Sequence, residues 1–203
     1  MAIILALDSS IGISSVAIWH TDKIAAYLEN RESTMQAAKL MPLVEEALNA
    51  AKLRYADLTH VACTTGPGSF TGIRIGMAAA RGIAFAANIP SLGFTTLEVM
   101  EAATGDQNAL AILNAGKGEV YFQKFGDAAC APSIGSLADV LARYPRATIA
   151  SGIPLPAGYA APTITYPRAD ALATLAAQAP QDASALTPLY IRPPDAKPMK
   201  NMQ

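Results

Sequence analysis

The chain opens on an unbroken apolar run, Ala2 to Leu7, followed by a polar turn, Asp8-Ser9-Ser10-Ile11-Gly12. A short apolar run without alternation predicts a strand covered on both faces. Ser14 to Trp19 and Ile24 to Leu28 repeat the strand pattern across tight turns. Together they predict a three-stranded antiparallel meander. From Thr34 the spacing becomes helical. Met35, Ala38, Met41, Leu48 and Ala51 fall near one face, and Leu40, Leu43, Val44 and Ala47 widen it. Pro42 predicts a bend in that helix, because it removes the hydrogen bond to residue 38.

The most informative stretch is His60 to Ala87, HVACTTGPGSFTGIRIGMAAARGIAFAA. Val61, Ala62 and Cys63 predict a buried strand. Gly66-Pro67-Gly68 turns the chain, and Ser69 or Thr71 caps a helix over 70–87. Gly72, Gly76, Ala80 and Ala84 recur every four residues on that helix. A glycine inside a helix costs about 1 kcal/mol relative to alanine. Two on one stripe imply that something approaches the backbone closely. The spacing leaves open whether that neighbour belongs to the same chain or to a partner. Arg74 and Arg81 lie on other faces, where solvation is expected.

Pro90 to Phe94 predicts a short strand, and Thr95 or Thr96 a cap for a helix ending near Ala103. The polar break Thr104 to Asn108 predicts a boundary between a lobe over 1–103 and a smaller one over 104–203. After it, ALAILNA, a turn at Gly116-Lys117-Gly118 and EVYFQKF predict a hairpin. A helix follows over Ser136 to Tyr144, a strand over Ala147 to Ala150, a loop over Pro154 to Pro162 and a helix over Arg168 to Gln178. The tail LYIRPPDAKPMKNMQ carries three prolines and three basic residues, which predicts extended chain. Strands followed by helices, twice over, predict an α/β chain of two related lobes, the actin-like (ribonuclease H-like) architecture.

Composition narrows the chemistry. Of 203 residues, 52% are hydrophobic and 15% charged, with a formal net charge of −1. A chain holding nucleic acid mainly through its own surface is usually more basic. Cys63 and Cys130 give no disulfide framework. No apolar run of about 18 residues predicts a membrane span, and the opening lacks a basic leader, so a reducing cytoplasm is expected. His20 and His60 have no partner at ligand spacing, so no metal site is expected. Glu119 has no evident mate and reads as a surface or turn residue. Two features could touch a phosphate. Asp8, Ser9 and Ser10 follow a buried strand and could hold Mg²⁺ or phosphate oxygens, or serve only as turn formers. Gly66, Gly68, Ser69 and Thr71 could cradle an anion at a helix N-terminus, or simply deliver the helix. No Gly-Lys-Ser/Thr follows, so the pair reads as at most a degenerate phosphate loop.

The combination ILALDSS with SVAIW, GPGSFTGIRIG with ARGIAFAANIP, GEVYF and the late LYIR resembles the TsaB (YeaZ) family. The resemblance is dense over 1–103 and sparser beyond. It implies an actin-like fold and a non-catalytic subunit of the bacterial machinery that makes threonylcarbamoyladenosine in tRNA. The implied partners are a TsaD-type catalytic subunit and a TsaE-type ATPase, with tRNA reached through the complex. The catalytic paralogue carries a histidine-rich metal motif where this chain has Phe94 to Met100 without histidine, so no catalytic residue is expected. Asn114-Ala115-Gly116 stands where relatives often carry Asp-Ala-Arg, and Ser33-Thr34 where a His-Ser/Thr pair is common. No double-glycine adenosine loop is present, so no cofactor is expected. The outer faces of helices 34–51 and 70–87 are expected to form the partner interface through Met35, Ala38, Met41, Leu48, Gly72, Gly76, Ala80 and Ala84. A homodimer in isolation would exchange for a heterodimer through the same helices. The competing reading is a stand-alone actin-like ATPase or kinase using Asp8 and the 66–72 loop. A third reading, the peptidase of an older glycoprotease label, fits poorly, because the sequence offers no nucleophile–base pair or metal motif.

Overall fold

The computed structural model describes residues 1–159, 164–179 and 186–192. The opening meander forms as expected. Strands β1 (Ile4–Asp8), β2 (Ser14–His20) and β3 (Lys23–Asn30) pair antiparallel, Leu5 opposite Ile18 and Ala17 opposite Tyr27. A 3₁₀ turn at Ser33–Met35 leads into α1 (Gln36–Ala51), with Pro42 inside the helix. The chain then lays β4 (His60–Thr64) parallel to β1, and α2 (Phe70–Ala87) carries it to β5 (Ser91–Phe94), parallel to β4. The sheet order β3-β2-β1-β4-β5 is that of an actin-like lobe.

Both faces of this sheet are covered, which explains why β1 reads as a continuous apolar run. Leu5, Leu7, Val16, Ile18, Val61 and Cys63 point to one side. There they meet Leu40, Val44, Ala47 and Leu48 of α1 and Ile73, Met77, Ala80 and Ala84 of α2. Ile4, Ala6, Ala17 and Ala62 point to the other side, against α5 (Ala169–Gln178), through Leu172, Ala173 and Ala176. Each fully buried leucine or isoleucine in these layers contributes about 1.5–3 kcal/mol relative to exposure.

Helix α3 (Thr96–Thr104) starts with a reciprocal cap: the Glu98 amide donates to the Thr95 hydroxyl and the Thr95 amide to the Glu98 carboxylate. Its Leu97 and Met100 pack on the second sheet, while Val99 faces α5. That sheet contains β6 (Leu110–Gly116), β7 (Glu119–Lys124), β8 (Ser133–Ser136) and β9 (Ile149–Ser151) in the order β8-β7-β6-β9. In both sheets an antiparallel meander flanks a strand whose other neighbour is parallel, β1 with β4 and β6 with β9. The repeat in topology is therefore present in three dimensions. Helix α4 (Leu137–Arg143) covers one face through Val140 and Leu141.

Three details differ from the sequence pattern. Strand β8, Ser-Ile-Gly-Ser, carries one large apolar side chain, and all four of its residues are only half-buried, so no apolar signal announces it. Strand β9 begins two residues later and ends one later than expected, because its register follows the partner Leu110–Ile112. The polar break at 104–108 separates α3 from β6, yet α5 returns from the second half to the first sheet, where small alanines let it lie close. The expected loop over 154–162 falls partly, and the tail over 193–203 wholly, outside the described residues. No helix among the described residues is long and apolar enough to cross a membrane.

Candidate functional site

The turn after β1 and the glycine loop after β4 meet at the carboxyl ends of two adjacent parallel strands, where open α/β sheets place their ligands. Here the two segments fill that space with each other. The Ser69 amide donates to the Ser10 carbonyl at 2.7 Å, and the Ser9 hydroxyl donates to the Gly72 carbonyl at 2.8 Å. A β-carbon on Gly68 would lie 2.1 Å from the Ser10 carbonyl oxygen, and one on Gly72 would lie 2.0 Å from that of Ser9. No side chain fits at either position, so both glycines are required for contact within the chain. Behind them the Leu189 amide donates to the Thr65 carbonyl at 2.8 Å, and the Leu189 carbonyl sits 2.8 Å from where a Gly66 β-carbon would be. Ser69 caps α2 by accepting from the Gly72 amide, while Thr71 is exposed on the first turn.

Asp8, Ser9 and Ser10 are buried in this junction. One Asp8 oxygen, Oδ1, accepts from the Thr64 hydroxyl at 2.6 Å, the Ser10 hydroxyl at 2.7 Å and the Ser10 amide at 3.3 Å. The other, Oδ2, is buried without a hydrogen-bond partner among the described residues. Burial pushes the Asp8 carboxyl up to about 6, against the lowering effect of the Thr64 and Ser10 hydrogen bonds. Burial likewise raises the Cys63 thiol, so it behaves as a small hydrophobe. Two partners of this junction carried no sequence signal. Thr64 ends β4 beside Asp8. Gln36, the first residue of α1, donates to the Ile11 carbonyl at 2.6 Å and reaches those of Ser9 and Ile13 at 3.3 Å. It supplies donors to the carbonyls of a partly buried turn that has no sheet partner.

The helical face expected to meet a partner requires correction. Gly72, Gly76, Ala80 and Ala84 are buried against the chain itself. A β-carbon on Gly76 would lie 2.6 Å from the Ser9 hydroxyl and 3.3 Å from the Cys63 sulfur. Leu48 belongs to the same core. The neighbour that the stripe accommodates is thus the β1–β2 turn. Met35, Ala38 and Met41 do face outward, with Met35 44% and Met41 38% exposed. Beside α1, the outer flank of α2 presents Ala78, Gly82 and Phe85, and Phe85 is 90% exposed. Nothing lies within 4 Å of a β-carbon placed on Gly82. Arg74 and Arg81 are not merely solvated: both contact the segment 186–192. Among the described residues no three His, Cys, Asp or Glu side chains cluster as metal ligands.

Comparison with known proteins places this geometry. The family model for TsaD, tRNA N6-adenosine threonylcarbamoyltransferase, matches residues 33–181. The chain is 35% identical over 128 residues to the tRNA threonylcarbamoyladenosine biosynthesis protein TsaB of Escherichia coli (strain K12), covering 60% of this chain and 54% of that protein. It therefore spans only about half the length of that curated relative. An uncharacterized protein of Mycobacterium tuberculosis is 36% identical over 172 residues, covering 83% of this chain and 80% of that one. The solved structure of YeaZ from Pseudomonas aeruginosa superposes with a TM-score of 0.70 at 24% identity, covering 94% of this chain and all of that one. A second structure, described as an uncharacterized protein similar to peptidase YEAZ from the same organism, gives 0.74 at 23% identity, covering 95% and 100%. These two likenesses establish the fold.

Proposed function

Since the chain belongs to the TsaB/YeaZ family, we propose that it is a non-catalytic subunit in tRNA threonylcarbamoyladenosine biosynthesis, binding and supporting a TsaD-type catalytic subunit. The observation that carries this reading is the uncovered apolar face of the paired helices α1 and α2. Met35, Ala38, Met41, Ala78, Gly82 and Phe85 turn outward, while a monomer of this size gains nothing by exposing a phenylalanine almost fully. Small residues along α2 let a second helix pair approach closely and complete a four-helix bundle. In isolation a second copy takes that place and gives a two-fold homodimer. A TsaE-type ATPase and the tRNA join through the complex, in the cytoplasm.

The alternative, a stand-alone ATPase or kinase, has less support. The glycine loop is closed by Ser9, Ser10 and Leu189, and Asp8 is buried at 0% exposure. A phosphate needs those amides and a Mg²⁺ needs that carboxylate. We therefore assign no cofactor to this chain alone.

The test is co-purification with the TsaD-type subunit of the same cell, for the native chain and for Gly82→Trp. The native chain should be captured. The tryptophan variant should fold, because its side chain enters open space, and should fail both to dimerise and to bind. Capture of the variant at native levels would move the interface elsewhere, and no capture of the native chain would remove the assignment.

A further inference from the structure

The segment Leu186–Arg192 runs as a strap along one flank of α2 and then crosses to the second sheet. Leu186 anchors it in the core, 4% exposed. Its carbonyl accepts from the Arg81 guanidinium. Three residues on, the Leu189 amide donates to Thr65. The Tyr190 hydroxyl then accepts from Arg74 Nε at 3.2 Å, and the Tyr190 ring lies 5.4 Å from that of Phe70, over which Arg74 also stacks at 3.7 Å. Arg192 ends the strap in an ion pair with Glu119 of β7. The strap therefore runs antiparallel to α2, from its last turns to its first.

Two consequences follow from where these anchors sit. First, the strap walls a cavity of about 380 Å³ at the carboxyl ends of β4 and β5, lined by Thr65, Phe94, Thr95, Glu98, Thr187 and Leu189. It lies at the carboxyl ends of parallel strands, the edge on which open α/β sheets bind ligands, beside the filled junction of β1 and β4. Second, every side chain of α2 that donates to the strap is an arginine on the outward flank. Arg74, Ala78, Arg81 and Phe85 recur at helical spacing, so the strap's two guanidiniums alternate with the apolar residues assigned to the partner. Hydrogen bonds from exposed cations are individually weak and exchangeable, and a carboxylate is a stronger acceptor for a guanidinium than a carbonyl or a phenol.

We infer that Leu186–Arg192 is a latch controlled from the partner face. A partner helix carrying carboxylates, seated along α2, draws Arg74 and Arg81 away from Leu186 and Tyr190, loosens the strap and opens the crevice beneath it. This rests on the proposed interface and adds a response to it: docking on the outer face of the first lobe changes access to the ends of its parallel strands and the tie through Arg192 to the second sheet.

Hydrogen exchange on the full chain tests this at the Leu189 amide, with the Ile73 amide inside α2 as the internal reference. Replacing both exposed arginines, Arg74→Ala with Arg81→Ala, should speed exchange at Leu189 at least tenfold and leave Ile73 unchanged. Glu119→Gln should speed it less. Unchanged exchange at Leu189 in the double variant overturns the latch, as does equal acceleration at Ile73, which would mean general loosening of the fold. Adding the TsaD-type subunit separates the two readings. Failure to bind refutes the interface and with it the partner's control, and the arginine variants then decide only whether the two guanidiniums hold the strap. Binding with faster exchange at Leu189 supports both, and binding with unchanged or slower exchange refutes the latch while leaving the interface standing.

Discussion

Replacing Asp8 with asparagine should stabilise this protein at neutral pH. Asp8 is fully buried, its Oδ1 holds three donors, and Oδ2 faces no donor among the described residues. Burial raises its carboxyl from an ordinary 3.8 to about 6. Each tenfold change in proton affinity is worth about 1.4 kcal/mol, so ionised Asp8 costs the folded state about 3 kcal/mol at pH 7. The direction follows from proton uptake. The folded state holds this proton more tightly than the unfolded chain does. Stability is therefore greatest below 3.8, falls as pH rises towards about 6, and is level above it. Asparagine keeps an acceptor for Thr64 and Ser10 and carries no charge. Its amide nitrogen inherits the unpaired position of Oδ2, which offsets part of the gain at every pH, by about 1 kcal/mol or more. Asp8→Asn should thus be about 1–2 kcal/mol more stable than the native chain at pH 7.5. Linkage removes about half of the charge penalty by pH 5 and most of it by pH 4, where the advantage disappears. Urea unfolding followed by the fluorescence of Trp19, at pH 7.5, 5 and 4, reads this directly. A variant less stable than the native chain at pH 7.5, or a difference that stays constant down to pH 4, would refute the reasoning.

The glycine stripe gives a paired prediction. Gly76→Leu drives a side chain into Ser9 and Cys63 and should cost about 1–3 kcal/mol or more, lowering the melting temperature by several degrees. Gly82→Leu enters open space and should hold or slightly raise stability, by up to about 1 kcal/mol, while lowering dimer affinity in sedimentation equilibrium. Supplied with threonylcarbamoyl-adenylate, the chain alone should leave tRNA unmodified; modified adenosine formed without a second subunit would overturn the non-catalytic assignment. Elemental analysis after dialysis should find well under one Zn or Fe per chain, and a stoichiometric metal would contradict the ligand count.

How much of this was legible in the sequence depends on whether the deciding contacts are local. Apolar periodicity and caps are local, so the bounds of α2, Phe70 to Ala87, the opening meander and the two caps could be read, the caps only to a pair of residues each: Ser69 or Thr71, and Thr95 or Thr96, of which the structure uses Ser69 and Thr95. The repeated topology was also legible, because each strand–turn–strand unit announces itself. Strand β8 was not, because its residues are half-buried and owe their pairing to β7. The same limit applies to the candidate site. Spacing showed that Gly72 and Gly76 must meet something, but a missing β-carbon carries no label for its neighbour. The neighbour is Ser9, more than sixty positions away, and only the parallel pairing of β1 with β4 brings the two together. Asp8 was visible as a carboxylate after a buried strand. Its partner Thr64, the Gln36 amide on the adjoining turn carbonyls, its raised carboxyl and the strap closing over the loop all arise from tertiary packing. The sequence by itself determined most of the elements and their family; which face of each helix is core and which stays exposed was decided only when distant turns were packed into the same space.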